Sequence, residues 1–334
     1  MTYSISRDFP FYRGRKLRST EFLRDSVAET KLSVENLVMP YFIRENDDEP
    51  LIHGMPGIKR LTENELIEEI KKIKDLGVKM IAIFPKVSEK KKTTDAKEAL
   101  NENNLICRVL RKVKKQIPEM ITICDVALDA YTRSGHDGVV NKQGIVDNDK
   151  TIKILAKMSF LFASNDCDVI APSDMMDGRV KVIREYLEKK KFFNTCILSY
   201  SSKFCSNFYS PFRDALGSKK NIEGSNKKTY QIDFRNRREA IKESLEDIKE
   251  GADILMVKPA GYYLDIIRDI KEKCLIPIAA YQVSGEYSMI KKTSESGIID
   301  YKNCVLESLY CIKRSGADLI FSYFTSEAAK WLKS

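Results

Sequence analysis

Apolar residues gather along this chain into short unbroken runs. Each run is followed by a longer segment in which they recur every three or four positions. The runs cover 37–43, 78–84, 120–126, 168–171, 195–200, 254–257, 277–281 and 319–322. They do not alternate apolar with polar, so they predict parallel strands buried on both faces. The periodic segments predict helices over 62–76, 103–117, 149–164, 179–190, 236–250, 262–273, 286–294 and 301–314. Thr62 and Glu65 form a capping box, and Gly77 stops that helix. Gly251-Ala252-Asp253 and Gly316-Ala317-Asp318 each mark a helix stop leading straight into a strand. Eight strand–helix units predict an α/β fold of the (β/α)8 TIM-barrel kind rather than an open doubly wound sheet. No G-x-G-x-x-G follows a strand, which argues against a dinucleotide-binding protein.

A length of 334 residues with 43% hydrophobic residues suits one such barrel, assigned to residues 31–334. Residues 1–30 are expected to form an N-terminal arm. Arg7, Arg13, Arg15 and Arg18 with Phe9, Phe11 and Tyr12 cannot bury themselves alone. The arm either packs on a neighbouring subunit, the preferred reading, or is a disordered tail. The net charge of +9 is spread in short lysine runs such as 71–72, 90–92 and 189–191, which read as solvated helix faces. No single basic stripe points to nucleic acid. The 8 cysteines form no C-x-x-C pair and read as reduced, buried residues. No apolar run is long enough for a membrane span, and the N-terminus has no signal-peptide core. A cytoplasmic protein is therefore expected.

In a barrel of this kind the active site lies at the C-terminal ends of the strands. Those ends carry Asp125, Ser173 with Asp174, Ser201 to Lys203, Lys258, Gln282 to Ser284, and Tyr323. Lys258 closes an apolar strand, where an ammonium must be paired or neutral. Burial and a second cation lower a lysine pKa and free the amine to attack a carbonyl. Lys203, one strand earlier, is the candidate second amine. The alternative for each is a lysine that snorkels or pairs with a carboxylate. The long loop after Lys203, with Tyr209, Arg213, Lys219, Lys220, Lys227, Lys228 and Gln231, reads as a lid whose cations could hold carboxylates, or as a basic solvated loop.

The segments 171–179, 199–203, 208–214, 256–259 and 281–287 are long and specific, and with them the chain resembles the porphobilinogen synthase family from Leu17 to Trp331. The resemblance implies a barrel with an N-terminal arm, a homo-octamer, and a lyase (5-aminolevulinate dehydratase) of heme biosynthesis. That reaction condenses two 5-aminolevulinate molecules to porphobilinogen, losing two waters. It implies Schiff-base roles for Lys258 and Lys203. It implies carboxylate contacts from Arg213, Lys227 and Gln231 for one substrate, and from Ser284 and Tyr323 for the other. Asp125, Ser173, Asp174 and Tyr209 match other lining residues. Lys227 stands where the family often has Arg, keeping the charge without the bidentate fork.

The three cysteine positions of zinc-type members hold Ala127, Asp129 and Asp137, so no catalytic zinc is expected, nor any organic cofactor. Asp129 and Asp137 hold Mg²⁺ or water, or pair with Arg133 or a lysine; these alternatives stay open, and His136 reads as a hydrogen-bonding residue. Glu243 matches the ligand of an allosteric Mg²⁺, against the alternative of a surface glutamate paired with a lysine. Two rival functions are a class I aldolase, needing one Schiff-base lysine, and a basic nucleic-acid binder.

Overall fold

The apolar runs become strands, and the computed structural model, which describes residues 8–217 and 226–333, buries them on both faces. They are β1 (Leu37–Ile43), β2 (Arg60–Leu61), β3 (Met80–Pro85), β4 (Ile121–Val126), β5 (Val169–Pro172), β6 (Cys196–Lys203), β7 (Ile254–Lys258), β8 (Ile278–Gln282) and β9 (Leu319–Ser322). All seven residues of β1 are buried. Strands β1 and β3 to β9 are parallel neighbours in chain order, and Leu37 of β1 pairs with Ile320 of β9. This pairing closes an eight-stranded barrel, so the predicted (β/α)8 architecture is observed. Strand β2 lies outside the ring, with Arg60 opposite Phe42.

The helices are α1 (Glu21–Ser26), α2 (Glu63–Asp75), α3 (Leu105–Gln116), α4 (Asn148–Ala163), α5 (Arg179–Lys189), α6 (Ser210–Ala215), α7 (Arg237–Glu250), α8 (Leu264–Lys271), α9 (Ser284–Glu295), α10 (Tyr301–Arg314) and α11 (Thr325–Lys333). The capping box at Thr62 and Glu65 is present. Helices α1, α6 and α11 are additional to those predicted; at 6, 6 and 9 residues they are too short for a clear apolar period.

Gly251 and Gly316 adopt φ of 104° and 121°, the left-handed conformation that ends a helix and that glycine tolerates without strain. The aspartate two residues beyond each glycine seals the lower rim. Asp253 Oδ2 accepts the Ile197 N–H at 2.8 Å and Asp318 Oδ2 accepts that of Ile278 at 2.9 Å. Asp168 Oδ2 does the same for Thr122 at 2.7 Å. Arg184, Lys271 and Lys114 neutralise the three carboxylates. The strand starts are thus satisfied, and the chemistry is left to the opposite face.

Strand β6 runs three residues further than its apolar pattern predicts. Ser201 and Ser202 are polar but buried, because Ser202 Oγ donates to the Ala240 carbonyl at 3.0 Å and Ser201 Oγ to that of Ser199 at 3.3 Å. The pairing with β7 shifts between Ser199 and Ser202, and the shift brings Lys203 opposite Lys258. In the arm, Phe9, Phe11 and Phe22 are 75%, 78% and 81% exposed. Arg7 of the predicted arm and Lys219 and Lys220 of the predicted lid lie outside the described residues. No helix among the described residues is long and apolar enough to cross a membrane.

Candidate active site

Aromatic rings from five strands and from α6 pack into a layer at the upper end of the barrel. Phe42 stacks on Tyr323 with centroids 5.8 Å apart, Phe84 meets Phe212 edge-on at 5.4 Å, and Tyr281 packs on Phe321 at 5.3 Å. Lys258, the last residue of β7, places its Nζ among these rings. It lies 4.3 Å from the Tyr281 centroid, 4.5 Å from Phe212, 5.2 Å from Tyr200 and 5.4 Å from Tyr209. Among the described residues no hydrogen bond or ion pair holds it. Burial, and then the charge of Lys203, push its pKa down to about 7. Half of such amines are uncharged at neutral pH, against roughly one in a thousand for an ordinary exposed lysine. Protonation below pH 7 removes the nucleophile, so kcat/KM is expected to fall by about tenfold per pH unit well below that value, readable in a pH–rate profile.

Lys203 sits directly across the strand pair but in different company. Its Nζ donates to Asp137 Oδ1 at 3.1 Å and to the Ser173 carbonyl. Asp137 is fully buried, and its other oxygen meets Lys227 Nζ at 2.7 Å. Burial alone raises a carboxyl pKa; here Lys203 and Lys227 outweigh it and hold Asp137 well below the usual carboxylate range. Lys227 also reaches Asp129 Oδ2 at 3.2 Å. Burial works against its ammonium, but the two aspartates more than offset this and raise its pKa. The mouth therefore holds one dry, unpaired amine and one amine within an ion-pair network.

The structure brings most of the other expected residues to the same mouth. Asp125 has one buried oxygen without a partner among the described residues, and burial and then Asp129 raise its pKa to about 6, against the pull of Lys203. Asp174 is raised to about 7 by burial, opposed by Arg179. Tyr209 donates its hydroxyl to the Lys258 carbonyl at 2.9 Å. Ser284 Oγ accepts the Phe212 N–H at 3.0 Å, and Tyr323 shares a 3.0 Å hydrogen bond with Tyr281. Gln231 is buried with its Oε1 unpartnered among the described residues. Arg213 is half-buried on α6. Lys227 is present but engaged by both aspartates.

Of the alternatives open for Asp129 and Asp137, the structure adopts pairing with lysines. A divalent cation does not fit there, because it would stand against two ammonium groups already within 3.2 Å of the same carboxylates. No group of three or more His, Cys, Asp and Glu side chains among the described residues is placed to hold a metal. Glu243 does not join the mouth. It lies on α7 in a cleft of about 280 Å³ with Asp177, Glu239, Asn148 and Lys228, which the mouth residues Tyr230 and Gln231 also line. Burial and the charge of Asp247 raise its pKa.

The sequence assigns no site role to several further contributors. Tyr230 donates its hydroxyl to Asp137 Oδ2 at 2.9 Å and contacts His136 Nδ1 at 2.9 Å. Burial and Lys227 lower the His136 pKa, so the ring is neutral and orients the tyrosine. Arg179 is buried, with Asp247 at 3.2 Å and Asp174 at 3.7 Å. Glu286, also buried, accepts the N–H groups of Gly261 at 2.6 Å and Val283 at 2.7 Å, which ties the turn after Lys258 to the start of α9. Gly285 lets the segment just before α6 pack on the start of α9, since a Cβ there would lie 2.6 Å from the Phe208 carbonyl oxygen.

A closed barrel with two amines side by side at its mouth, one of them held neutral, is the frame of an imine-forming enzyme. Residues 11–331 match the model of the family described as delta-aminolevulinic acid dehydratase, and the chain belongs to that family. It is 44% identical to the chloroplastic delta-aminolevulinic acid dehydratase of Selaginella martensii, over 96% of this chain and 76% of that protein. It is 46% identical to the first such enzyme of Arabidopsis thaliana, over 96% and 74%. The crystal structure of the Toxoplasma gondii ME49 enzyme, in complex with the reaction product porphobilinogen, superposes with a TM-score of 0.94 at 43% identity, covering 96% of this chain and 91% of that one.

These relatives correct one expectation. They are named chloroplastic, which points to a plastid and overturns the cytoplasmic expectation. An apolar signal core marks secretory leaders alone; plastid leaders are polar and Ser/Arg-rich, so that criterion does not separate cytosol from plastid.

Proposed function

We propose that Lys258 and Lys203 each take one 5-aminolevulinate as an imine, and that the mouth between them joins the two. The chain is a porphobilinogen synthase, a lyase that condenses two 5-aminolevulinate molecules to porphobilinogen with loss of two waters, an early step towards heme. The observation that carries the residue assignment is the register of Lys203 opposite Lys258, with the Lys258 amine kept dry and unpaired among the described residues. Each imine releases one water on forming. Loss of a proton beside one imine gives the carbon nucleophile for C–C bond formation. Attack of a substrate amine closes the ring, and the enzyme amines are returned. Asp125, with a pKa of about 6, is matched to accept and return those protons. Arg213 and Gln231 are assigned to one substrate carboxylate, and Ser284 and Tyr323 to the other. Ser173, Asp174 and Tyr209 hold the walls. Lys227 holds Asp129 and Asp137 with two of its three N–H donors and is assigned to a substrate carboxylate with the third. The test is direct: 5-aminolevulinate supplied alone is converted to an Ehrlich-positive pyrrole, and a protein that acts only on aldol substrates is excluded by that colour.

Glu243 is assigned to a regulatory Mg²⁺. Its cleft is also lined by Asp177 and Glu239, and Mg²⁺, which keeps most of its waters, needs only one or two carboxylates from the protein. Mg²⁺ is expected to raise the melting temperature of the intact protein but not that of Glu243→Ala. Equal shifts in both proteins would place the ion elsewhere. The exposed aromatic residues of the arm support a homo-oligomer, proposed as an octamer, in which a neighbouring subunit covers them.

A further inference from the structure

We propose that Arg60 is a positioning residue for the reaction, a clasp that sets where α6 holds Phe212 and Arg213 over the mouth. Arg60 belongs to β2, outside the ring of strands, and is buried. Its guanidinium collects four backbone carbonyls from two segments. Nε donates to Ala215 O at 2.7 Å and Nη2 to Asp214 O at 2.7 Å, at the end of α6. Nη1 donates to Glu49 O at 2.9 Å and to Leu51 O, in the loop after β1. The last carbonyls of a helix have no partner within it and need one from outside. No carboxylate lies within ion-pair distance of Arg60 among the described residues, so the fork serves the carbonyls alone. A second buried cation continues the grip: Lys92 donates to Gly217 O at 3.2 Å, just beyond α6.

The other end of α6 is tied to the chemistry. The Phe212 N–H is held by Ser284, and the Phe212 ring faces the Lys258 amine. Only four residues, Phe212 to Ala215, thus link the clasp to the ring that faces the reacting amine, and Arg213 lies between. A shift at Asp214 or Ala215 is passed on to both side chains because a single helical turn moves as a unit. The inference rests on the assignment of Arg213 to a substrate carboxylate.

The test uses the full chain with Arg60→Lys and Arg60→Met, measuring kcat and KM for 5-aminolevulinate alongside thermal melting. A lysine keeps the charge but cannot span four carbonyls. Both variants are expected to melt cooperatively while KM rises between about tenfold and a hundredfold, the scale of misplaced binding groups. An unchanged KM in folded protein, whatever happens to kcat, overturns the clasp. Where the Arg60 variants do not fold, Lys92→Met decides by the same KM criterion. If the unsubstituted protein turns over substrate and is trapped at Lys258 while Arg60→Lys keeps its KM, only the clasp fails. If the unsubstituted protein does neither, the imine assignment has failed first.

Discussion

Replacing Lys258 with methionine is expected to lower kcat by roughly 10⁴-fold or more while leaving the protein folded, since removal of a covalent nucleophile typically costs this much or more. Methionine matches the unbranched shape of the lysine stem and fills the space between Tyr200, Phe212 and Tyr281 without a charge. The native amine has no hydrogen-bond partner there among the described residues, so its removal leaves no buried group stranded. Stability should hold or rise, because burying an amine among rings works against folding. The comparison of Ehrlich-assay kcat with thermal melting checks both halves. Activity within tenfold of the unsubstituted enzyme would remove Lys258 from the chemistry.

The largest effect on stability is expected from Asp137→Asn. Asp137 is the shared counter-ion of Lys203 and Lys227, at 3.1 Å and 2.7 Å. Asparagine keeps the shape but leaves two buried ammonium groups with Asp129 alone, and breaking a buried pair in this way costs about 3–5 kcal/mol. Chemical denaturation measures it. Asp137→Asn combined with Lys227→Met should recover part of the loss, since one of the stranded charges is then gone. A cost below about 1 kcal/mol for the single variant would mean that the ion pairs contribute no more than exposed ones. Activity should fall as well, because Lys203 loses the oxygen that fixes its direction.

The barrel was legible because its signal is local. Unbroken apolar runs, capped helices and the Gly-Ala-Asp stops each speak for a few adjacent residues, and eight of them leave few topologies. The reactive lysines were legible for the same reason: an amine ending an apolar strand is conspicuous, and neighbouring strands of a barrel must share a mouth. The extension of β6 was not, since Ser201 and Ser202 look solvent-exposed until α7 supplies the Ala240 carbonyl. Nor was the difference between the two amines. The aromatic surroundings of Lys258 come from β6, α6 and β8, and the link between Asp137 and Lys227 spans 90 positions of chain. Periodicity carries no information at that separation. The open choice for Asp129 and Asp137, metal or lysine, depended on that long-range pairing.

Borohydride reduction in the presence of 5-aminolevulinate, followed by peptide mapping, addresses the two-amine mouth most directly. Reduction should leave a stable secondary-amine adduct on Lys258 and a second on Lys203, with both lost when substrate is withheld. An intact, active enzyme that yields no adduct on Lys258 under those conditions would contradict the account.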